Sequence, residues 1–383
     1  MALKSGMNGS IGYIAEDTWG VAKPPTRFLP ALPGVTLGQT VDWMEDDGIY
    51  AGRRVAHGDQ MVQGRVTVAG TVKHQLYDHS MTLLLKHALG GYSVSAGPPY
   101  THTITPGDLT GLSLTVQRGL PDVTDGTVRP YTTAGAKISK LELAWKEGEI
   151  VTAGLDMTGK WEIRHRTVAD GVTNTDTSLV SATAVFTQDD VGKPVSGTGI
   201  AAGTTILSRT SATTVVLSAA TTATATGVTI TIGMALASVS YASSLIPVRF
   251  RDSTLTIAGT AVPVKEGKFT VENMLNTERR FCGTPYISEQ LEAGRRKIGG
   301  SCVPEFANNT AYERFVNGTQ AALVSTFTVG SNSITITKNV IFDGDPPKEN
   351  GPEIIEQPLS YRCVGSTDAA ACTIVAVNSD AAA

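Results

Sequence analysis

Two acidic clusters come closest, in residue type and spacing, to a catalytic or ion-binding site. They are residues 45–47 (Glu-Asp-Asp) and residues 343–345 (Asp-Gly-Asp). A pair of carboxylates can cleave a glycosidic bond or bind calcium through its oxygen atoms. Both clusters lie in segments flanked by glycine or proline, which are typical of loops. We therefore expect solvated surface acids, with a calcium site or a catalytic pair as the alternatives.

The six histidines do not have the spacing of a zinc site. His79 and His87 fall on one predicted helix but are two turns apart, too far to share a metal. The sequence contains neither an HExxH nor a G-x-S-x-G motif, so zinc hydrolysis and an esterase-type nucleophile have no support. Glycines at 197–203 lack the Lys-Ser/Thr of a phosphate-binding loop and indicate a turn. We expect surface or lid histidines, no catalytic residues, no metal and no cofactor.

The four cysteines are expected to be free and inert. They are Cys282, Cys302, Cys363 and Cys372, and their spacing does not match the short C-x₂₋₄-C pattern of zinc sites. No apolar run follows Lys4, so we expect no secretory signal and synthesis in a reducing cytosol. Their disulfide state stays open at this point.

The composition indicates a β-rich protein that does not grip nucleic acid. The chain has 383 residues, of which 17% are charged, and it contains 40 Gly and 18 Pro. Many short strands and tight turns account for such a composition. The net charge is −4, and the basic groups at 53–54, 279–280 and 295–297 fall on separate segments. These groups are better interpreted as partners in interface salt bridges than as a DNA-binding patch.

The elements that must position these residues are mostly strands. Alternating apolar and polar residues predict strands within 60–74, 101–119, 138–166, 234–273, 295–306, 321–329 and 331–342, with a closing strand pair at 358–365 and 371–380. Residues 77–89 and 308–320 predict short helices. Residues 1–40 suggest an extended arm, and residues 41–59 a long loop or an extended hairpin. Such a pattern favours a sheet sandwich or barrel.

A change of composition in mid-chain predicts an inserted domain. Residues 167–233 are rich in threonine and contain a single aromatic residue, Phe186. A break of this kind inside a chain indicates a domain boundary on either side. Removing the segment leaves a strand that ends at His165 and another expected to start near Ala235, which would be neighbours across one loop.

The order and style of the other segments resemble a known family. The quoted segments are SIGYIAEDTWGVAKPPTRFLP (10–30), LLLKHALGG (83–91), IPVRFRDSTLTIAGTAVPVKEGKFTVEN (246–273), AYERFVNGTQAAL (311–323) and the closing strands IEQPLSYRCVGS (355–366) and ACTIVAVNSD (371–380). In this order they resemble an N-terminal arm, a lid helix, a central hairpin, a late helix and a last strand pair. These are features of the tail tube, or major tail, proteins of bacteriophages with long non-contractile tails.

The resemblance implies a structural virion protein and no enzyme. The implied fold is mainly β, a sandwich or barrel with one or two short helices, plus the small all-β insert on the tube exterior. Subunits would form stacked hexameric rings through which DNA passes without specific binding. The implied partners are the tape measure protein in the lumen and the tail terminator and distal tail proteins at the ends. Assembly would occur in the host cytoplasm, and the product would be a siphovirus-like tail.

The segments without self-contained periodicity are the expected contact regions. They are the arm 1–40, the inter-ring loop 41–59 and the C-terminal end. Aromatic residues dominate interface energetics, so Trp43 and Tyr50 are candidate anchors, with packing on their own subunit as the alternative. The full set of candidate interface residues is Trp19, Trp43, Glu45, Asp46, Asp47, Tyr50, Arg53 and Arg54.

Two other functions remain open at this point. One is a phage or bacterial surface adhesin or receptor-binding protein that uses the insert as its binding module. A shortage of aromatic rings in the insert disfavours glycan binding, which usually needs a stacking ring. The other is a polysaccharide-degrading β protein, for which only the two acidic loops could supply the carboxylate pair.

Overall fold

The computed structural model describes residues 5–52, 54–306, 309–344 and 355–382. Over these residues the chain forms 24 strands and three α-helices, which confirms the mainly β prediction. The chain divides into two compact units. The first unit takes residues 5–28, 113–136 and 159–240, and the second takes residues 29–112, 137–158 and 241–382. No helix in the described part of the chain is long and apolar enough to cross a membrane.

The elements follow one another in a β-rich order. The strands are β1 (Ser10–Ala15), β2 (Arg27–Phe28), β3 (Gly38–Glu45), β4 (Met61–Gln75), β5 (Gly90–Ser95), β6 (Tyr100–Pro106), β7 (Leu114–Pro121), β8 (Val128–Lys146), β9 (Thr152–Gly159), β10 (Trp161–Arg164), β11 (Arg166–Asn174), β12 (Ser178–Val180), β13 (Val195–Gly197), β14 (Ile206–Arg209), β15 (Thr214–Leu217), β16 (Thr224–Ile232), β17 (Ser253–Ile257), β18 (Thr260–Ala261), β19 (Val264–Glu272), β20 (Lys297–Pro304), β21 (Ala321–Val329), β22 (Asn332–Gly344), β23 (Leu359–Cys363) and β24 (Cys372–Asn378). The α-helices are α1 (Thr82–Leu89), α2 (Thr310–Val316) and α3 (Asp368–Ala371).

The first unit contains an antiparallel sheet with the strand order β2–β1–β7–β8–β10. Ile11 and Tyr13 on β1 and Phe28 on β2 are buried in it. Residues 5–40 of the predicted arm form no α-helix, in keeping with their prolines, and they pair within the subunit over residues 10–28. Burial of these apolar side chains fixes the segment against the sheet.

A second, six-stranded sheet belongs to the same unit. Its strand order is β13–β16–β11–β12–β15–β14. The strand that enters this sheet, β11, pairs with the strand that leaves it, β16, starting at the pair Arg166 and Ile232. The sheet has a hydrophobic core of its own, in which Phe186 is the largest side chain. The core residues are Leu179, Ala184, Phe186, Val195, Ile206, Val215, Leu217, Ile230 and Ile232.

The chain that leaves this sheet is not a strand where one was expected. After Ile232 no strand begins until Ser253. The Gln117 side chain donates to the Ala235 carbonyl at 2.9 Å and accepts from the Ala237 amide at 2.8 Å. The expectation of a strand near Ala235 was therefore wrong, because a side-chain amide takes the place of a neighbouring backbone here.

The second unit is built on a larger antiparallel sheet. Its strands follow the order β3–β4–β9–β8–β19–β20–β23–β22. Beyond β22 the sheet continues along β21, β17 and β18, and separately along β24, β6 and β5. Alternating apolar side chains, such as Leu141 and Leu143 on β8 and Phe269 and Val271 on β19, form the core of this unit.

Helix α1 is shorter and more deeply buried than the sequence suggests. It begins at Thr82, because Ser80 has a positive φ of 66° and breaks the helical path, and it ends at Gly90 with a φ of 99°. His79 and His87 are buried, so the expectation of surface histidines was wrong. His79 Nδ1 lies 2.8 Å from Asp78 Oδ1, and His87 Nδ1 lies 2.9 Å from the Leu83 carbonyl oxygen.

Candidate functional site

The acidic clusters of the sequence do not form a catalytic or metal site in the described part of the chain. No group of three or more His, Cys, Asp or Glu residues there could hold a metal ion. Asp343 forms an exposed ion pair with Arg362 at 2.7 Å, and Asp345 lies outside the described residues. The other cluster, residues 45–47, lies at the end of an extended hairpin. The features of that hairpin point most clearly to a function.

The hairpin consists of β3 and β4, whose register runs from the pair Gly38 and Ala69 to the pair Glu45 and Met61. The predicted loop 41–59 is thus in part a strand, and the connecting loop is 46–60. A bulge between Val41 and Trp43 shifts the register by one residue. Bulges increase the local twist and redirect the strands beyond them. We call residues 42–65, beyond the buried Val66, the hairpin end.

Both faces of the hairpin end are exposed. Trp43 lies opposite Gln63 on one face, where the next pair is Glu45 and Met61. Met44 and Val62 form a pair on the other face. Side chains on both faces are open to solvent, with exposed fractions of 62% for Trp43, 53% for Met44 and 51% for Val62. In a hairpin that packs on its own subunit, at least one face is buried. Here apolar side chains are exposed on both faces, so nothing in the subunit covers this end of the hairpin.

The loop at the tip is ordered by its own hydrogen bonds. Asp46 accepts from the Gly48 amide at 2.9 Å and from the Tyr50 hydroxyl. These two hydrogen bonds, led by that of Tyr50, hold the pKa of Asp46 below its ordinary value. Gln60, which is buried, accepts from the His57 amide at 2.8 Å, and its own carbonyl accepts from the Asp46 amide at 2.8 Å. Ile49 and Val55 remain exposed at this tip.

The base of the hairpin is anchored by an arginine. Arg280 donates from Nη1 to the carbonyls of Val66 at 2.8 Å and Pro285 at 2.9 Å, and from Nη2 to Thr67 Oγ1 at 3.0 Å. The Val66 amide donates to the Pro285 carbonyl at 2.9 Å. A charged donor that bonds to several oxygens at once holds the backbone firmly. The hairpin end is therefore carried on a rigid base.

The predicted interface residues fall into two separate groups. Six of them lie on the hairpin end and are exposed: Trp43, Glu45, Asp46, Asp47, Tyr50 and Arg54. Arg53 lies outside the described residues. Trp19 belongs to the first unit, where it is half-buried and its ring lies under the Lys160 ammonium group, 5.0 Å from the ring centroid. The loop that carries it is held by Glu16, whose carboxylate accepts from Gly20, Ser113, Thr115 and Gly135 at 2.7–2.9 Å.

Five exposed apolar residues of the hairpin end were missing from the prediction: Met44, Ile49, Val55, Met61 and Val62. A signal for them was present in the sequence. Trp43-Met44 and Met61-Val62 are adjacent apolar pairs, and successive strand residues point to opposite faces. Two such pairs at the end of a predicted hairpin indicate apolar side chains on both faces, and hence a partner that covers them.

Comparison with known proteins gives one family match. A family model described as "Phage tail tube protein" matches residues 6–363 of the chain. The comparison with curated proteins gave no match.

Proposed function

The chain belongs to the phage tail tube protein family, and we propose on this basis that its subunits close into hexameric rings that stack into the tube through which DNA passes. Membership makes the chain a structural component of the virion tail that assembles with copies of itself. The ring, the stacking and the passage of DNA during genome ejection are the proposal. The hairpin end with both faces uncovered is the observation that carries it.

The hairpin end fits a contact between rings. An isolated two-stranded hairpin is marginally stable in water, and exposed apolar groups of this kind favour burial against a partner. Trp43 is the natural anchor, because tryptophan is among the residues that contribute most to protein interfaces. The exposed carboxylates of residues 45–47 follow it in the chain and would form a polar rim of the kind that borders interface cores. A second copy of the chain in the next ring would cover both faces.

Exposed sheet edges support closure into a ring. In the described part of the second unit, β3, β5 and β18 each pair with one neighbouring strand. Unpaired edges promote aggregation unless they are covered or closed into a larger sheet. A contact between different surfaces of neighbouring subunits closes into a ring when the rotation permits it. Closure of the ring would cover these edges with neighbouring subunits.

We propose that residues 167–233 form an inserted domain on the tube exterior. Its separate core and the pairing of its first and last strands support the idea that it extends from the subunit at two adjacent chain positions. Phe186, its only aromatic residue, is buried in that core and offers no ring to a glycan. This disfavours the adhesin alternative, and the insert is better interpreted as a decoration.

The remaining partners follow from the proposed tube. The tape measure protein would occupy the lumen before ejection, and the tail terminator and distal tail proteins would bind the two ends of a siphovirus-like tail. Assembly would take place in the host cytoplasm. A chain with a net charge of −4 has no excess of cations with which to hold DNA. DNA would therefore pass without specific binding, and neither catalysis nor a cofactor is part of the proposal.

Removal of the hairpin end tests the proposal. Val41 and Val66 are cross-strand partners, so residues 42–65 can be replaced by Asn-Gly, a favourable two-residue turn. We expect a folded subunit, because the buried side chains of β4 begin at Val66. We expect no tubes by negative-stain microscopy or sedimentation. Abundant tubes of this variant would contradict the role of the hairpin.

A single substitution makes the same test without a deletion. Trp43→Ser removes an exposed ring, so the stability of the isolated subunit should be unchanged. An interface anchor contributes about 2 kcal/mol or more, which raises the critical concentration for tube formation at least about tenfold. The matched control is Leu207→Ser on the six-stranded sheet, since Leu207 has an exposed fraction of 63% against 62% for Trp43. Equal critical concentrations for the two variants would exclude Trp43 from the contact.

A further inference from the structure

A partly exposed face rich in charged side chains lies on five neighbouring strands of the second unit: β9, β8, β19, β20 and β23. Directly opposite residues on antiparallel strands share a face, so the register aligns the outward side chains into rows. One row consists of Gly154, Glu142, Thr270, Gly299 and Arg362, the next of Thr152, Ala144, Lys268, Ser301 and Ser360, and a third of Asp156, Lys140, Glu272 and Lys297. Lys146 lies opposite Glu266 beyond them. We call this surface, together with the adjacent Asp343 of β22, the charged face.

Positive and negative groups on the charged face are equal in number. The cations are Lys140, Lys146, Lys268, Lys297 and Arg362, and the carboxylates are Glu142, Asp156, Glu266, Glu272 and Asp343. They also alternate: the third row reads acid, base, acid, base across four strands. The face as a whole is electrically neutral, although the chain carries a net charge of −4.

Most of these charges are neutralised by a neighbour on the same face. Glu142 lies 2.8 Å from Lys268 Nζ and 3.3 Å from Lys140 Nζ, and Lys146 lies 3.8 Å from Glu266. Partial burial alone would raise the pKa of Glu142, but the two lysines outweigh it and hold the pKa below its ordinary value. The carboxylate therefore stays charged at neutral pH and keeps the lysines paired.

The charged face is unlike a surface for subunit contact. None of the large apolar side chains that are exposed in the described residues lies on its five strands. Small residues such as Gly154, Ala144, Gly299 and Ser301 fill its centre. Interface cores are depleted of lysine and glutamate, whereas this face is built from them. It is therefore suited to stay wet when the apolar hairpin end is covered.

We propose that the charged face lines the channel of the assembled tube and is the surface along which duplex DNA slides. The proposal rests on the tube function proposed above. A polyanion is held when free cations displace its counterions, and it is repelled by a surface of net negative charge. Lys140, Lys146 and Lys268 are already paired with carboxylates and do neither. A face that is neutral overall and carries no large exposed apolar side chain thus lets DNA pass with little attraction and little repulsion.

Chemical labelling of assembled tubes tests where the face lies. Ser360→Cys places a thiol on the charged face, in a Cys282→Ser background that removes the exposed native thiol. A small maleimide and a maleimide attached to a globular protein too large for the channel are compared before and after assembly. We expect both reagents to label free subunits, and only the small one to label intact tubes. Ser208→Cys on the six-stranded sheet should react with both reagents in tubes.

Labelling of Ser360→Cys by the large reagent in intact tubes would place the face outside and overturn the inference. Protection from both reagents would place it in a subunit contact and overturn it as well. The absence of tubes under the microscope would instead contradict the proposed function from which the inference starts. The failures of the two proposals are thus distinguishable.

A change of charge tests the sliding role. Glu142→Gln with Glu266→Gln leaves Lys268, Lys140 and Lys146 without their partners. We expect tubes of this variant to retain duplex DNA at low salt at least about tenfold more than the unmodified tube, and to release it as salt increases. The control Asp122→Asn with Asp125→Asn changes the net charge equally at an exposed Arg129 pair of the first unit. Cosedimentation of labelled DNA measures retention, and equal retention by the two variants would contradict the role.

Discussion

Lys338 is the most unusual single residue of the second unit. It is fully buried on β22, where its ammonium group donates to Ser325 Oγ at 2.8 Å. The Phe269 and Tyr361 rings lie 5.4 and 5.3 Å from it, a distance at which aromatic faces attract a cation. Burial lowers the pKa of Lys338 to about 8, despite the opposing influence of nearby cysteines. Burial therefore makes the charged form of Lys338 energetically unfavourable in the folded protein.

Replacement of this lysine by a methionine should stabilise the subunit. Lys338→Met removes a buried charge and keeps a long unbranched chain, for which roughly 1–4 kcal/mol of added stability is expected at neutral pH. The control is Lys73→Met, an exposed lysine of β4, which should change stability little. Denaturant unfolding of the two variants and the unmodified chain measures the difference. A destabilised Lys338→Met would show that the cation contributes more to this fold than its burial costs.

The advantage of Lys338→Met should depend on pH in a defined direction. Below a pH of about 8 the lysine is charged in both states, and its burial cost is complete. From about 8 towards the ordinary pKa of 10.5, the unfolded chain keeps the proton that the folded one has lost, so this residue's contribution to stability improves as pH rises. The gap between variant and unmodified chain should shrink over that window. A gap that widens would contradict the assignment.

The sequence held part of this information at the residue level. Ile334, Ile336, Val340 and Phe342 alternate along β22, and Lys338 falls on the same buried face by the period of a strand. The rings and hydroxyl that receive it come from other strands, which alternation cannot identify. Burial also raises the pKa of Cys302 to about 11 and that of Cys363 to about 12, so these free thiols are poorly reactive. The four cysteines are indeed free in the structure, as expected.

At the scale of elements, alternation predicted strands better than it predicted their ends or partners. β4, β8, β19 and β22 all lie within segments whose apolar residues recur with period two. The register is set by tertiary contacts, so the bulge of the hairpin and the rows of the charged face could not be predicted. Helix α1 begins about one turn later than predicted, because Ser80 has a positive φ. Helix α3 is only four residues long and therefore shows no helical periodicity in the sequence.

Excision of the six-stranded sheet tests the proposed inserted domain. Thr167 and Thr231 are cross-strand partners, so Asn-Gly can replace residues 168–230. We expect tubes of smaller outer diameter, because the sheet is proposed to lie outside. The deleted segment includes Gly192, which packs against the Trp161 ring. Loss of this contact should lower the free energy of unfolding of the first unit by about 1–2 kcal/mol. Electron microscopy measures the diameter. A folded variant that forms no tubes would show that the sheet takes part in assembly.

At the scale of the whole molecule, the surfaces differ in ways that match a tubular assembly. Apolar residues are exposed on the hairpin end, and the charged face lacks them. Composition alone predicted a β protein without a basic patch, but not where its exposed apolar groups would gather. The sequence alone does not distinguish a side chain that is buried only in the assembly from an ordinary exposed loop residue. For this reason the assembly surface could be predicted only as a segment, and by resemblance to the family.

Electron microscopy of the purified, unmodified chain shows whether it builds a tube. We expect stacked rings or tubes of uniform diameter that form above a critical concentration, with hexameric symmetry in end views. The same preparation of the variant without residues 42–65 should show separate subunits or single rings. An unmodified chain that stays monomeric or trimeric at every concentration would contradict the claim that it builds a tube.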